Sequence, residues 1–255
     1  MRAVVGAMLV VFACVGAASG DSGDACAVAQ HLVHADAGLT HVADAIKARS
    51  LTIVVSGTAS STLPGAAGQP LAYPAKLEAV LRKTLPDVTV KVIPQVKSRQ
   101  TAQEMAQGFA KLIRDERPSL VVWQTGTADA MLGVSAEDFQ ATLEEAVDKL
   151  HADGADVVFM NMQYSPRTDA VLSTEPYSEA LRWVGLERAV NLFDRQAVMR
   201  QWSELGTFDL LAATKSLDTA AQVHGCIARL LATLIVEAAT TDPVAPIAPK
   251  EDKKQ

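Results

Sequence analysis

Between Ser56 and Ser61 the chain reads Ser-Gly-Thr-Ala-Ser-Ser, a run of hydroxyls at the head of a Gly/Ser/Thr/Pro loop that reaches Pro70. A hydroxyl such as that of Ser60 attacks an acyl carbon only when a base takes its proton and fixed donors meet the developing charge. Without them Ser60 is a small polar loop residue. The chain has 5 histidines. His31, His34 and His41 form a loose His-x-x-His arrangement with a third histidine further on. Zinc sites use such spacings, but no acidic or cysteine partner stands at a matching offset, so we expect no metal and no cofactor. His151 falls near a helix C-terminus, where a cation suits the dipole. His224 lies on the flank of the last amphipathic helix, as a base or as a plain packing residue. Asp129, at a strand end, bonds neighbouring loops or caps the following helix, unless it orients a base. Arg99 and Arg167 suit an anionic or sugar-bearing ligand and equally suit solvated loops. Asn161 to Arg167, with Tyr164, reads as a polar stretch lining a pocket mouth.

The elements that must position these residues alternate regularly. Leu51–Val55, Val88–Ile93, Leu120–Gln124, Asp156–Met160 and Val190–Phe193 are short apolar, mostly β-branched runs that read as strands buried on both faces. Helical periodicity fills the gaps: from Tyr73, Thr101–Asp115, Ala136–His151, Tyr177–Arg188, Arg195–Leu205 and Asp218–Ala239. A helical segment from Cys26 to Arg49 precedes the first strand. Strand–helix alternation of this kind gives a parallel sheet covered on both sides, a three-layer doubly wound α/β fold. Chemistry in such folds sits just beyond the carboxyl ends of the strands. The loops to examine are therefore 56–61, 94–99, 124–129, 161–167, Asp194-Arg195 and the stretch before the last helix.

The first twenty residues read as a secretory leader: Arg2, an apolar run from Ala3 to Val15, then Gly16–Gly20 as small residues for cleavage. Val11-Phe12-Ala13 before Cys14 also allows a lipoprotein reading. The expected organisation is a leader at 1–20, a helical segment at 21–50, one domain at 51–240 and a disordered tail at 241–255. The mature protein is expected in the periplasm or outside the cell, without a transmembrane segment. Cys26 and Cys226 then remain as a pair for a disulfide, or as two buried thiols. A net charge of −6 and 5% aromatic residues argue against nucleic acid as a partner.

Four landmarks together resemble the SGNH (GDSL-type) hydrolases. Ile53–Ser61 stands where that family has a strand running into Gly-Asp-Ser. Tyr73-Pro74-Ala75-Lys76-Leu77 matches a Tyr-Pro-x-x-Leu helix start. Val121–Asp129 stands where a strand ends in Gly-x-Asn-Asp, and Asp218 falls near Asp-x-x-His. The resemblance implies a three-layer α/β/α, flavodoxin-like five-stranded parallel sheet and carboxylic ester hydrolysis by serine, histidine and aspartate, as on acetylated envelope glycans. Carried over, it makes Ser60 the nucleophile, His224 the base and Asp218 or Asp129 the orienting acid. Gly57, Ala59, Arg99, Gly126, Asp129 and Tyr164 then line the oxyanion hole and pocket. The signature is degenerate: Thr58 stands for the aspartate, Ala59 for the ungapped nucleophile, Arg99 for a glycine and Ala128 for the asparagine. Two functions follow. One is an exported esterase acting on an envelope glycan or lipid. The other is a binding or accessory protein that kept the pocket for a small-molecule, acyl-glycan or lipid ligand and lost the chemistry.

Overall fold

The computed structural model describes residues 24–210 and 217–241. The leader at 1–20, Cys14 and the tail beyond Thr241 lie outside these residues. Five strands, β1 (Ser50–Gly57), β2 (Thr89–Val96), β3 (Leu120–Gln124), β4 (Asp156–Met160) and β5 (Asn191–Phe193), form one sheet in the order β2-β1-β3-β4-β5. Every neighbouring pair is parallel.

Between and around them run α1 (Thr40–Lys47), α2 (Gly65–Gly68), α3 (Tyr73–Thr84), α4 (Ala102–Glu116) and α5 (Thr127–Leu132). Then come α6 (Ala136–Ala152), α7 (Pro166–Asp169), α8 (Glu175–Arg188), α9 (Arg195–Glu204) and α10 (Asp218–Ala238). Side chains alternate across a strand, so each continuous apolar run feeds two cores. Leu51, Ile53, Val55, Leu120, Val122, Val158 and Met160 join α1, α3, α9 and α10 on one face. Val121, Trp123, Val157 and Phe159 join α4, α6 and α8 on the other. The three layers expected from the alternation are present.

Two stretches differ from their sequence reading. Residues 26–33 hold only a 3₁₀ turn, Gln30–Leu32, where a helix was expected. Long-range bonds hold this segment and the residues after it: Ala29 N–H donates to Gln201 Oε1 at 3.1 Å, and Asp36 and Ala37 N–H donate to Asn191 Oδ1 at 2.8 and 2.9 Å. Cys26 is disulfide-bonded to Cys226 on α10, with Cα atoms 5.0 Å apart. These long-range ties hold the segment against α9 and α10 without a regular helix. β2 also runs on through Pro94 to Val96, past the end read at Ile93. It is an edge strand paired only to β1, so the missing proline N–H can face away from the sheet.

From β1 the chain crosses first to β2 on one side and then to β3 on the other. That reversal opens a crevice at the carboxyl ends of β1 and β3, where α/β sheets place their sites.

Candidate functional site

At the carboxyl edge of β1 and β3 lies a cavity of about 700 Å³, within the range of small-molecule sites. The loop after β1 contributes Thr58, Ala59 and Ser60, the loop after β2 Ser98 and Arg99, and the start of α5 Thr127 and Ala128. Gln163, Arg195, Asp209 and His224 add further polar groups, with Thr62 and Thr219. Leu63, Met131, Met199 and Val223 make much of the rest apolar.

Gln124, the last residue of β3, organises the loop. Its Oε1 accepts from Thr58 N–H at 3.0 Å, from the Thr58 hydroxyl at 3.0 Å, from Ser61 at 3.1 Å and from Ser60 at 3.3 Å. The Thr58 N–H can only donate, so the oxygen of the amide must face the loop. Gln124 Nε2 is left buried without a partner among the described residues. Gly57 is required beneath this knot: a Cβ there would stand 2.3 Å from Ser61 Oγ. Ser61 is buried and shares a 2.9 Å hydrogen bond with the Tyr73 hydroxyl. Ser60 therefore directs its hydroxyl proton at an amide oxygen, and its Oγ accepts from Arg195 Nη1 at 3.3 Å.

His224 is 5% exposed and lines the same cavity. Its Nδ1 accepts the backbone N–H of Tyr73 at 2.9 Å. Tyr73 opens α3, and the first N–H groups of a helix have no carbonyl partner of their own. An imidazole nitrogen that accepts carries no proton, so neutral His224 holds its proton on Nε2. Burial, with Arg195 and Lys76 nearby, pulls its pKa down to about 3. No hydrogen bond joins Ser60 to His224.

Arg195 is 0% exposed. It opens α9 after Asp194, whose side chain caps the helix by accepting from Ala197 N–H at 2.9 Å. Nη1 donates to the Ser60 carbonyl at 3.0 Å and Nη2 to Gln163 Oε1 at 3.1 Å, while Nε has no acceptor among the described residues. Burial lowers its pKa to about 10, which leaves it charged at neutral pH.

The profile of the non-GDSL lipase-like family matches residues 25–241. The chain belongs to that family. No curated protein matches the sequence. Among solved structures, TesA is 21% identical, over 72% of this chain and 99% of that one, with a TM-score of 0.53. An acetyl xylan esterase, Axe2 from Geobacillus stearothermophilus, is 18% identical over 72% and 94% of the two chains, with a TM-score of 0.58. A two-domain esterase, CEX, active on acetylated mannans, is 16% identical over 84% of this chain and 59% of that one, at a TM-score of 0.64. The SGNH-type fold and the kinship read from the four landmarks are thereby shown.

Set in the family frame, the sequence-derived site residues divide. Ser60, Ala59, Arg99 and His224 share the cavity wall. Arg99 has a left-handed φ of 62°, a conformation that favours glycine. Gly57 and Gly126 lie behind the wall. Gly126 has φ 100°, and a Cβ on it would stand 2.5 Å from Met162 Sδ. Asp129 is buried and accepts Ala102 N–H at 2.9 Å, capping α4, and burial raises its pKa. Asp218 sits in the first turn of α10, and the nitrogen of His224 that it was expected to hold is taken by Tyr73. Neither acid orients His224. Tyr164 turns toward α9 under Arg200, whose guanidinium is 5.2 Å from the ring centroid, and Gln163 takes the place expected of it in the wall.

Sequence reasoning missed Gln124 and read Arg195 only as part of a loop. A polar residue ending an all-apolar strand, just before Thr125-Gly126, was the available signal for Gln124. Nothing local marks Arg195, because its burial comes from elements distant in sequence.

Proposed function

We propose that the protein binds an acylated glycan or lipid in the cavity between β1 and β3 without hydrolysing it through a serine–histidine pair. One observation carries this reading: the Tyr73 N–H occupies His224 Nδ1, so the nitrogen that would have to receive a serine proton already holds one. Ser60 points its hydroxyl at Gln124, and an amide oxygen is no base at neutral pH. Ala59 and Ala128 stand where the resemblance expects the nucleophile and the oxyanion-hole asparagine. The loss of one such donor alone typically costs about 10²–10³ in rate. The ligand class is proposed from the family and from the acetylated polysaccharides named for two structural neighbours. Export to an oxidising compartment is part of the same proposal, supported by the leader-like sequence and the Cys26–Cys226 disulfide.

Ester hydrolysis by Ser60 is a second reading, favoured by the Arg195 guanidinium 3.3 Å from Ser60 Oγ, which would stabilise an alkoxide. Incubation with p-nitrophenyl acetate and with a fluorophosphonate probe separates the two, with Ser60→Ala as control. We expect no turnover above the Ser60→Ala background and no covalent labelling. Labelling that Ser60→Ala abolishes would overturn the binding reading.

A further inference from the structure

Buried arginines are normally paired, because an uncompensated charge out of water costs several kcal/mol. Arg195 has no anionic partner among the described residues. Among the described residues no carboxylate is bonded to it, its acceptors are the neutral oxygens of Ser60 and Gln163, and its Nε has none. The nearest π-system, Tyr73, lies 5.8 Å from the guanidinium carbon and gives only a weak substitute for an anion. The charged residues of the cavity wall are Arg195, Arg99 and Asp209.

The cover over the guanidinium is itself informative. Ser60 holds Nη1 from a loop knotted to Gln124, so that side is fixed. Gln163, which holds Nη2, is an exposed residue on the loop after β4. An exposed, neutral amide over a buried cation is a partner that a carboxylate can displace, since a carboxylate adds charge–charge attraction and can accept from the guanidinium fork through both oxygens. The remaining wall, with Leu63, Met131, Met199 and Val223, suits an uncharged body attached to that acceptor.

We propose that Arg195 makes the floor of this cavity a subsite for a carboxylate, which replaces Gln163 Oε1 at Nη2 while the uncharged remainder of the ligand lies against the apolar wall. The proposal rests on the reading of the cavity as a ligand site and names the chemistry of what enters. The carboxylate can come from an aliphatic acid or from an acidic sugar, and the test distinguishes them.

Binding of octanoate and glucuronate is compared by calorimetry with that of octanamide and glucose, their uncharged counterparts. The wild-type protein, Arg195→Gln and Gln163→Ala are used. The wild type is expected to prefer at least one acid over its counterpart by about tenfold or more. Which acid wins identifies the source. Arg195→Gln is expected to lose that preference, read as the ratio of acid to counterpart affinity. Gln163→Ala removes the competing acceptor and is expected to bind the acid more tightly. An acid preference that survives in Arg195→Gln overturns the proposal, as does equal binding of acid and counterpart. If Arg195→Gln fails to fold, Gln163→Ala decides: unchanged or weaker acid binding overturns the proposal. Binding of an uncharged compound or an acetylated oligosaccharide with no acid preference would sink the carboxylate subsite and leave the binding reading standing. Absence of all binding would sink both.

Discussion

The imidazole of His224 meets the N–H of Tyr73 at the open end of α3, and this one contact fixes both its tautomer and its charge. Burial, and then the nearby charges of Arg195 and Lys76, disfavour the imidazolium and bring the pKa to about 3 from an ordinary value of 6.5. In the unfolded chain the imidazole gains its proton near pH 6.5, whereas in the folded chain it stays neutral until about pH 3. The unfolded state therefore binds more protons between these values, and the stability contributed by neutral His224 is lost as pH falls through that window. We expect the stability of the wild type relative to His224→Gln to decline from pH 6.5 toward pH 4. The slope should approach about 1.4 kcal/mol per pH unit, measured by urea denaturation at each pH. Parallel profiles for the two proteins would mean that the ring titrates normally.

Elements place these residues by the way they begin. α3, α4 and α9 each start beside the cavity or its supporting shell, and each start is held by a side chain from elsewhere or from just outside the helix. His224 takes Tyr73 N–H, Asp129 takes Ala102 N–H, and Asp194 takes Ala197 N–H. α4 also has a capping box between Thr101 and Glu104. Asp129 thus holds α4 against the β3–α5 turn, a structural task for a residue whose family position suggested catalysis. Asp129→Asn, which can keep the accepting oxygen, is expected to bind ligand as the wild type does. Asp129→Ala should cost about 1–3 kcal/mol in thermal or chemical unfolding, from a buried N–H left without a partner. Loss of ligand binding in a stable Asp129→Asn protein would contradict this assignment.

Strands were legible for the same reason that sites were not. Leu120–Trp123 and Val157–Met160 are apolar throughout, and a sheet buried on both faces leaves that mark in a sequence. The Gly126 turn and the loop after β1 were legible as positions, because a strand ending in Gly and hydroxyls reaches a switch point. The partners of His224 and Arg195 were not. They depend on α3 and α9 meeting α10 and the β1 loop across more than a hundred residues, and no local periodicity encodes which nitrogen a backbone amide will meet.

At the scale of the whole molecule, the protein keeps the sheet order, the switch-point crevice and the two-sided core of an SGNH-type hydrolase. The long apolar helix α10 has the length and hydropathy of a membrane span, yet ten of its residues, Val223 and Ile227 among them, are buried in the fold, and Cys226 ties it to Cys26. The frame is thus intact around a pocket in which His224 Nδ1 accepts the Tyr73 N–H and the buried Arg195 bonds the neutral oxygens of Ser60 and Gln163. The most direct test is the protonation of His224 followed by ¹⁵N long-range correlation NMR on the full chain. We predict a proton on Nε2, an unprotonated Nδ1, and no titration from about pH 8 down to about pH 5, the range in which an unperturbed histidine changes charge. A proton on Nδ1 with a free Nε2, or titration near neutrality, would contradict the account and return His224 to the role of a base.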